Sequence, residues 1–552
     1  MAENTFKRFG TMLDCSRNGV PRVSTVKKWI DLTADLGYNM LMLYTEDTYE
    51  VNDNPYFGYG RGRYSREELR QMDSYAREKG MELVPCIQTL AHLQTLVRWK
   101  PYADISDVKD ILLVDAEKTY QLIDKMFETI SQCFTSKTVN IGMDEAVLMG
   151  RGKYYSLHGP VDYTELFLRH LNRVAEIGRK YGLTMCMWSD MFFRLASGGS
   201  YYLSEEKAFD TSVAAKIPQG VELIYWDYYS TDKSRYDRML RAHSTLKEGT
   251  WFAGGFACWS GFVPHNLQGI DASRAAMASC RENGVENVFL TLWGDDGMEC
   301  SIFATLPSLF CAAEFARGIT DMAVIRERFQ EKYHISFDDF MLLDLLDTPN
   351  GQGYVCRDEK DDGVRNGDKY LLYNDPFTGL FDSTLTGTEN QAFADAAEKL
   401  ERLEADQTFG YLFRTVGALC RVLSVKAQLG QKTRQAYEMQ DREAMENLII
   451  DYAAVLEKLD AFYAAHRSRW MMENKAQGFE IQDMRLGGLH RRIESCKKTL
   501  EEYLAGEISQ IDELEEPLLD LRGNGSNFEK KPVCFNHWGK TITANALGMG
   551  LG

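Results

Sequence analysis

Over roughly its first 330 residues the chain alternates short apolar runs with longer amphipathic stretches, and this repetition restricts the fold more than any other feature. Eight apolar runs fall at 8–14, 39–44, 82–86, 138–142, 183–188, 221–226, 251–259 and 287–293. Helical periodicity marks 24–36, 65–79, 116–132, 163–180, 271–282 and 322–332, with Gly37 and Gly80 standing just past two helix ends. Strands separated by helices run parallel, and continuous apolar character suits strands covered on both faces. Eight such units are expected to close into a (β/α)8 barrel. An open doubly wound sheet would open with a glycine-rich turn, which Asp14-Cys15-Ser16-Arg17 does not supply.

The remaining residues read differently. A chain of 552 residues exceeds what one core normally serves. Residues 351–368 are polar and glycine-rich, the expectation for a loop, and 389–504 carry almost unbroken helical signal. The expected class is therefore α/β, a TIM barrel followed by a mostly helical C-terminal domain. The expected division is a catalytic barrel over 1–335, a connecting segment over 336–388 and a helical domain with an irregular tail over 389–552. Within the connection, Lys369-Tyr370-Leu371-Leu372-Tyr373-Asn374-Asp375 is an apolar-aromatic run expected to fold over the barrel mouth and border the pocket.

The formal charge of −18 opposes phosphate backbones and anionic lipid surfaces, so neither nucleic acid nor membrane is an expected partner. No apolar run reaches the length of about 18 residues a membrane span requires, and the first nine residues hold no apolar signal-peptide core. The 12 cysteines show no CxxC spacing, and Cys86, Cys186 and Cys258 lie in apolar runs. They read as buried reduced thiols, which points to the cytoplasm. No HxH, HExxH, P-loop or dinucleotide fingerprint occurs, so no metal or cofactor is expected.

In such barrels, active residues stand at the C-terminal ends of the strands. The third run leads into Gln88 and His92, and the fourth into Asp144-Glu145. The fifth ends in Trp188-Ser189-Asp190 and the sixth in Tyr225-Trp226-Asp227-Tyr228. The seventh ends in Trp259, and the eighth in Trp293-Gly294-Asp295. Four of the nine tryptophans thus fall at consecutive strand ends. Indoles pack on the apolar face of a pyranose, and carboxylates accept its hydroxyl hydrogens. Asp-Glu pairs also occur at 358–359 and 512–513, but only Asp144-Glu145 follows an apolar strand and a glycine. Glycoside cleavage uses an acid at the leaving oxygen and a second group across the ring. Two adjacent residues cannot easily take both sides, which leaves room for a nucleophile supplied by the substrate.

Asn140-Ile141-Gly142-Met143-Asp144-Glu145 resembles the H-x-G-x-D-E motif of glycoside hydrolase family 20, the β-N-acetylhexosaminidases. Met12-Leu13-Asp14-Cys15-Ser16-Arg17 resembles that family's first strand, M-L-D-x-x-R, and 84–92 its third strand with the following histidine. The pattern is most similar to a branch with streptococcal N-acetylglucosaminidases and hexosaminidase D-like enzymes, over about residues 8–330. The resemblance implies release of terminal N-acetylglucosamine or N-acetylgalactosamine through an oxazolinium intermediate. It implies that Glu145 is the acid and base, and that Asp144 holds the acetamido N–H. Trp188, Trp226 and Trp293 match the family's indoles, Asp295 a hydroxyl-binding carboxylate, and His92 a histidine beneath the catalytic aspartate. Tyr228 is the first choice for the acetamide oxygen and Tyr225 the second. A homodimer is also an expectation by analogy.

The chain departs from the pattern at Asn140, where the family usually has His, and at Phe9, where many members carry a substrate-binding Arg. Asp14 or Arg17 is expected to contribute to hydroxyl recognition instead. Two rival readings stand beside this one. A conventional retaining glycosidase would use Asp227 or Asp295 as nucleophile, and a non-catalytic sugar-binding barrel would keep the aromatic pocket without turnover.

Overall fold

A computed structural model describes residues 5–202, 211–347, 365–525, 530 and 533–546. Its centre is a closed parallel barrel of eight strands: β1 Arg8–Asp14, β2 Met40–Tyr44, β3 Glu82–Cys86, β4 Thr138–Asn140, β5 Thr184–Trp188, β6 Val221–Trp226, β7 Trp251–Gly255 and β8 Asn287–Leu292. Each strand pairs with its neighbours in sequence, and β8 closes on β1 from Arg8 opposite Asn287 to Leu13 opposite Leu292. The seam between β3 and β4 is the thinnest, with Cys86 opposite Asn140 as its one register pair among the described residues.

Strand periodicity sorts the side chains into two cores. Met12, Met42, Val84, Cys86, Cys186, Ile224 and Phe289 fill the barrel interior, while Leu13, Leu41, Leu83, Val139, Met187 and Leu223 face the outer layer. The same parity decides what reaches the mouth. Trp188, Trp226 and Trp293 continue the inward rows of β5, β6 and β8, whereas Tyr225 belongs to the outer core.

The outer layer is built by helices α1 Val23–Asp35, α2 Arg66–Glu78, α3 Glu117–Cys133, α4 Tyr163–Lys180, α5 Asp190–Ser197, α6 Lys233–Leu246, α7 Asn266–Glu282, α8 Leu306–Ala316 and α9 Met322–Tyr333. On α1, buried Val26, Trp29, Ile30 and Thr33 recur at helical spacing, and Leu36 and Gly37 end it. On α2, Ser65 and Glu68 form a reciprocal capping box.

Two local readings are corrected. The seventh strand stops at Gly255, so Trp259 stands on the loop beyond it rather than at a strand end. Two short strands that the apolar pattern did not reveal, Ser106–Val108 and Ile111–Leu112, form an antiparallel ribbon, too short to show a period.

Beyond the barrel lie α10 Gly367–Tyr373, α11 Glu389–Glu401, α12 Gly410–Lys426, α13 Leu429–Glu438, α14 Arg442–Glu473 and α15 Phe479–Ala505. Most of the polar stretch expected as a loop, 351–364, lies outside the described residues, and from Gly367 onward the chain is helical instead. Helix α14 runs for 32 residues and α15 for 27, each burying a row at helical spacing such as Tyr452, Val455, Leu459 and Phe462. Among the described residues, no helix is long and apolar enough to cross a membrane.

Candidate active site

At the C-terminal end of the barrel, a cavity of about 150 Å³ is lined by Arg17, His92, Asp144, Glu145, Trp188, Trp226, Tyr228, Tyr229, Trp259, Trp293 and Asp295. Nine of the ten residues expected at the site therefore share one cavity; Asp14 does not line it.

The turn after β4 is what brings Asp144 and Glu145 inward. Gly142 (φ 70°), Met143 (φ 69°) and Glu145 (φ 52°) are in the left-handed region, which only glycine adopts without cost. A side chain on Gly142 would collide with the Gln88 amide oxygen. That oxygen accepts from Met143 N at 3.2 Å, and the Gln88 nitrogen donates to Asp144 Oδ1 at 2.8 Å. Asn140 is fully buried and accepts from Gly142 N at 2.9 Å, so this residue shapes the same turn. Asp190 Oδ2 receives the backbone N–H of Glu145 at 3.1 Å and Arg194 Nε at 3.0 Å. Arg194 also lies 3.5 Å from Glu145 Oε1.

Charge is arranged in pairs. His92 Nε2 lies 3.2 Å from Asp144 Oδ2 and 3.9 Å from Glu145 Oε2. Burial disfavours the charged imidazole, but Asp144 beside it outweighs burial and raises the His92 pKa to about 9. Burial would likewise raise Asp144, yet His92 and the Gln88 bond hold its carboxyl below the usual range. Asp190 is pushed up to about 7 by burial and by Asp144, against the pull of Arg194. The Glu145 side chain is half exposed and faces the opening.

The opposite wall is aromatic. Trp226 and Tyr228 stack at 5.3 Å and 20°, and Tyr228 meets Trp259 edge-on at 5.7 Å. Trp188 and Trp293 approach to 6.0 Å. Arg17 lies over both the Tyr44 and Trp293 rings, each at 4.9 Å. Asp295 stands near it at the rim with an exposed side chain, and partial desolvation raises its carboxyl against the pull of Arg17.

A family profile described as the catalytic domain of glycosyl hydrolase family 20 matches residues 6–233, and one for the Glycoside Hydrolase 20C C-terminal domain matches 338–533. The chain belongs to glycoside hydrolase family 20. Among its relatives, Hexosaminidase D of Bos taurus is 22% identical over 345 residues, covering 59% of this chain and 95% of that protein. Hexosaminidase D of Homo sapiens is 23% identical over 291 residues, covering 50% of this chain and 57% of its own length. The crystal structure of a β-N-acetylhexosaminidase from Bacteroides fragilis NCTC 9343 shares 18% identity at a TM-score of 0.46, covering 60% of this chain and 70% of that one.

Three expectations for this family 20 hydrolase are corrected by the geometry. Asp14 is fully buried with both oxygens occupied: Oδ1 accepts from Ser16 N at 2.8 Å and Ser16 Oγ at 2.7 Å, and Oδ2 from Arg17 Nη1 and Gly294 N at 3.0 Å each. It orients Arg17 and the β8 loop instead of facing a ligand. Phe9 marks no missing cation, because it stacks on Tyr38 in the outer core at 4.3 Å while Arg17, eight residues on, reaches the cavity. The run 369–375 is buried behind the β8 loop and contributes nothing to the lining of this cavity.

Of the two residues expected at the sugar hydroxyls, Arg17 lines the cavity, while Gln88 and Asp190 stand just past strand ends, where position alone marks them. Arg194 and Tyr229 carried no such signal. Arg194 acts from one turn into α5, where the four-residue spacing to Asp190 is common to any helix.

Proposed function

We propose that this chain is an exo-acting β-N-acetylhexosaminidase that releases terminal N-acetylglucosamine or N-acetylgalactosamine with retention, using the substrate's own acetamido oxygen as nucleophile. The carrying observation is that Asp144 and Glu145, adjacent on one turn, share one wall of a small cavity whose other wall is indole and phenol. Neighbours in the chain cannot flank a sugar ring, so the pair suits a division in which one residue moves protons and the other orients the amide.

In this reading Glu145 donates its proton to the glycosidic oxygen as that bond to the anomeric carbon breaks. The acetamido oxygen attacks the same carbon, and the positive charge of the oxazolinium formed is spread over the amide. Asp144, kept ionised by His92 and Gln88, accepts the acetamido N–H and stabilises that charge. Water then adds at the anomeric carbon as the bond to the acetamido oxygen breaks and its electron pair returns to the amide, and the water gives a proton to Glu145. Tyr228, Trp188, Trp226, Trp259 and Trp293 enclose the acetamide and the ring, with Tyr228 O–H donating to the acetamide oxygen. Arg17 and Asp295 receive the sugar hydroxyls. Of the alternative nucleophiles, Asp227 supports this reading by its occupation elsewhere: it is 1% exposed, pairs with Arg235 at 3.0 Å and accepts from Tyr225 O–H at 3.1 Å.

The test compares aryl β-N-acetylglucosaminide, β-N-acetylgalactosaminide and β-glucoside as substrates, with a thiazoline mimic of the oxazolinium as inhibitor. Turnover of an acetamido sugar, none of the glucoside, and inhibition by the thiazoline are expected. Equal rates on the glucoside would overturn the reading.

A further inference from the structure

The loop after β8 carries Trp293 and Asp295 into the cavity and then turns through three successive left-handed residues: Asp296 (φ 50°), Gly297 (φ 128°) and Met298 (φ 57°). Two of the three have side chains, so local preference does not hold the backbone there and surrounding contacts must.

Those contacts come from outside the barrel. Lys369 of α10 places Nζ 3.0 Å from Asp296 Oδ2 and 2.7 Å from Glu299 Oε2. Arg485 of α15 meets the same two carboxylates, at 3.0 Å to Asp296 Oδ1 and 2.9 Å to Glu299 Oε1. Each cation touches both anions, giving a closed neutral ring of four charges. Its members Lys369, Glu299 and Arg485 are buried, which charged groups tolerate only when fully paired.

Three further bonds act on the turn itself. Arg485 Nη1 donates to the Asp296 carbonyl at 2.5 Å, Gln482 Nε2 to the Gly297 carbonyl at 3.1 Å, and Trp538 N to Asp296 Oδ2 at 2.7 Å. A Cβ on Gly297 would stand 2.7 Å from Arg485 Nη1, so the approach is close enough to require glycine. From the barrel side, Asp14 holds Gly294 N at 3.0 Å. Asp295 thus lies between a bond on the barrel side and a charged ring on the helical side.

We propose that Arg485 and Lys369, two residues of the C-terminal helices, are positioning residues for sugar recognition: by fixing the 296–299 turn they set where the Asp295 carboxylate stands in the cavity. They touch no substrate. The inference rests on the glycosidase reading above and gives the helical region a part in substrate discrimination.

The test measures kcat and KM on full-length protein for an aryl β-N-acetylglucosaminide and its 3-, 4- and 6-deoxy analogues. Wild type is compared with Asp295→Asn, Arg485→Gln, their double variant and Arg485→Lys. Wild type is expected to penalise at least one deoxy analogue by about tenfold or more, as a site built around a hydroxyl does. Asp295→Asn should lose that penalty. Arg485→Gln should lose most of it, raise KM more than it lowers kcat, and add little in the double variant. Arg485→Lys keeps the charge without the fork and should recover part of the discrimination. An Arg485→Gln protein that slows every substrate by one factor, keeps the wild-type penalty and adds fully to Asp295→Asn would overturn the proposal. Should that variant not fold, Gln482→Ala removes the bond to Gly297 without unpairing a charge. A reduced penalty there supports the proposal and an unchanged one overturns it. A wild type without turnover of either the aryl β-N-acetylglucosaminide or the β-N-acetylgalactosaminide overturns the hexosaminidase reading and this inference together, whereas intact discrimination in both Arg485→Gln and Gln482→Ala overturns this inference alone.

Discussion

The two walls of the cavity are built by opposite means. After β3 and β4, the backbone is forced: His92 (φ 58°), Gly142, Met143 and Glu145 all occupy the left-handed region, and the side chains are held by charge and hydrogen bonds. From the ends of β5, β6 and β8, Trp188, Trp226 and Trp293 follow the ordinary inward parity of their strands and pack ring on ring. Each non-glycine residue held left-handed costs about 1–3 kcal/mol, offset by the surrounding contacts. The left-handed residues at 142–145 thus fall where protons are proposed to move, whereas the indoles that receive the sugar stand on ordinary backbone and the left-handed turn at 296–298 lies beyond them. The contrast expects changes on the first wall to act on kcat and changes on the second to act on KM.

The largest expected effect is at Glu145. Glu145→Gln keeps the shape of the side chain and removes the transferable proton. We expect kcat on a substrate with a poor leaving group to fall by about 10²–10⁴-fold, the usual contribution of general acid catalysis, with binding of the sugar retained. Calorimetric titration with the thiazoline mimic measures that binding separately. A rate within a few-fold of wild type would remove Glu145 from its assigned role and with it the distinction between the walls.

How much of this was legible in the sequence follows the same division. The aromatic wall depends on strand parity and position, which a period of two carries, so Trp188, Trp226 and Trp293 could be placed from apolar runs alone. Trp259 lines the cavity from a loop and not from the strand end that the sequence suggests, because Phe256-Ala257-Cys258 prolongs the apolar run after β7 has stopped pairing. On the carboxylate wall the sequence yields the Asp144-Glu145 pair but not its supports. Gln88, Asp190 and Arg194 act across 56, 45 and 49 positions of chain, and no local pattern records such pairings. The choice of Asp14 failed for a related reason. Its parity is inward, but Ser16, Arg17 and Gly294 occupy the carboxylate before any ligand could. The buried ring around Asp296 and Glu299 was illegible throughout, since its cations lie 73 and 189 residues away.

The intermediate effect is on stability and separates charge pairing from packing. His92 has its pKa raised to about 9 in the fold, against about 6.5 for an unperturbed imidazole. The folded state therefore binds the proton more tightly than the unfolded one. The resulting stabilisation is fully present below about pH 6.5 and is lost as pH rises through about 9. Its ceiling is roughly 3 kcal/mol at 1.36 kcal/mol per unit, shared with Asp144. Urea unfolding at pH 6 and pH 10 should show wild type losing more stability than His92→Gln over that interval. Equal losses would mean that the pair contributes no charge-dependent stability, and that the carboxylate wall is held by hydrogen bonds alone.

The smallest effect is expected on the aromatic wall, at the residue least fixed by strand geometry. Trp259 is 5% exposed and meets Tyr228 at 5.7 Å and Tyr229 at 6.2 Å, both edge-on. Trp259→Ala removes one face of the enclosure without touching the Gly142–Glu145 turn or any of its bonds. An aromatic pair contributes about 0.5–1.5 kcal/mol beyond its buried area. The expected result is a rise in KM of about tenfold with kcat within threefold of wild type, because a ring contact made alike in ground and transition states changes only uniform binding. A fall in kcat matching that of Glu145→Gln would show that Trp259 orients the acetamido group for attack. The two walls would then act as one device, since an indole on an unstrained loop would be setting the reaction geometry together with the β4 turn.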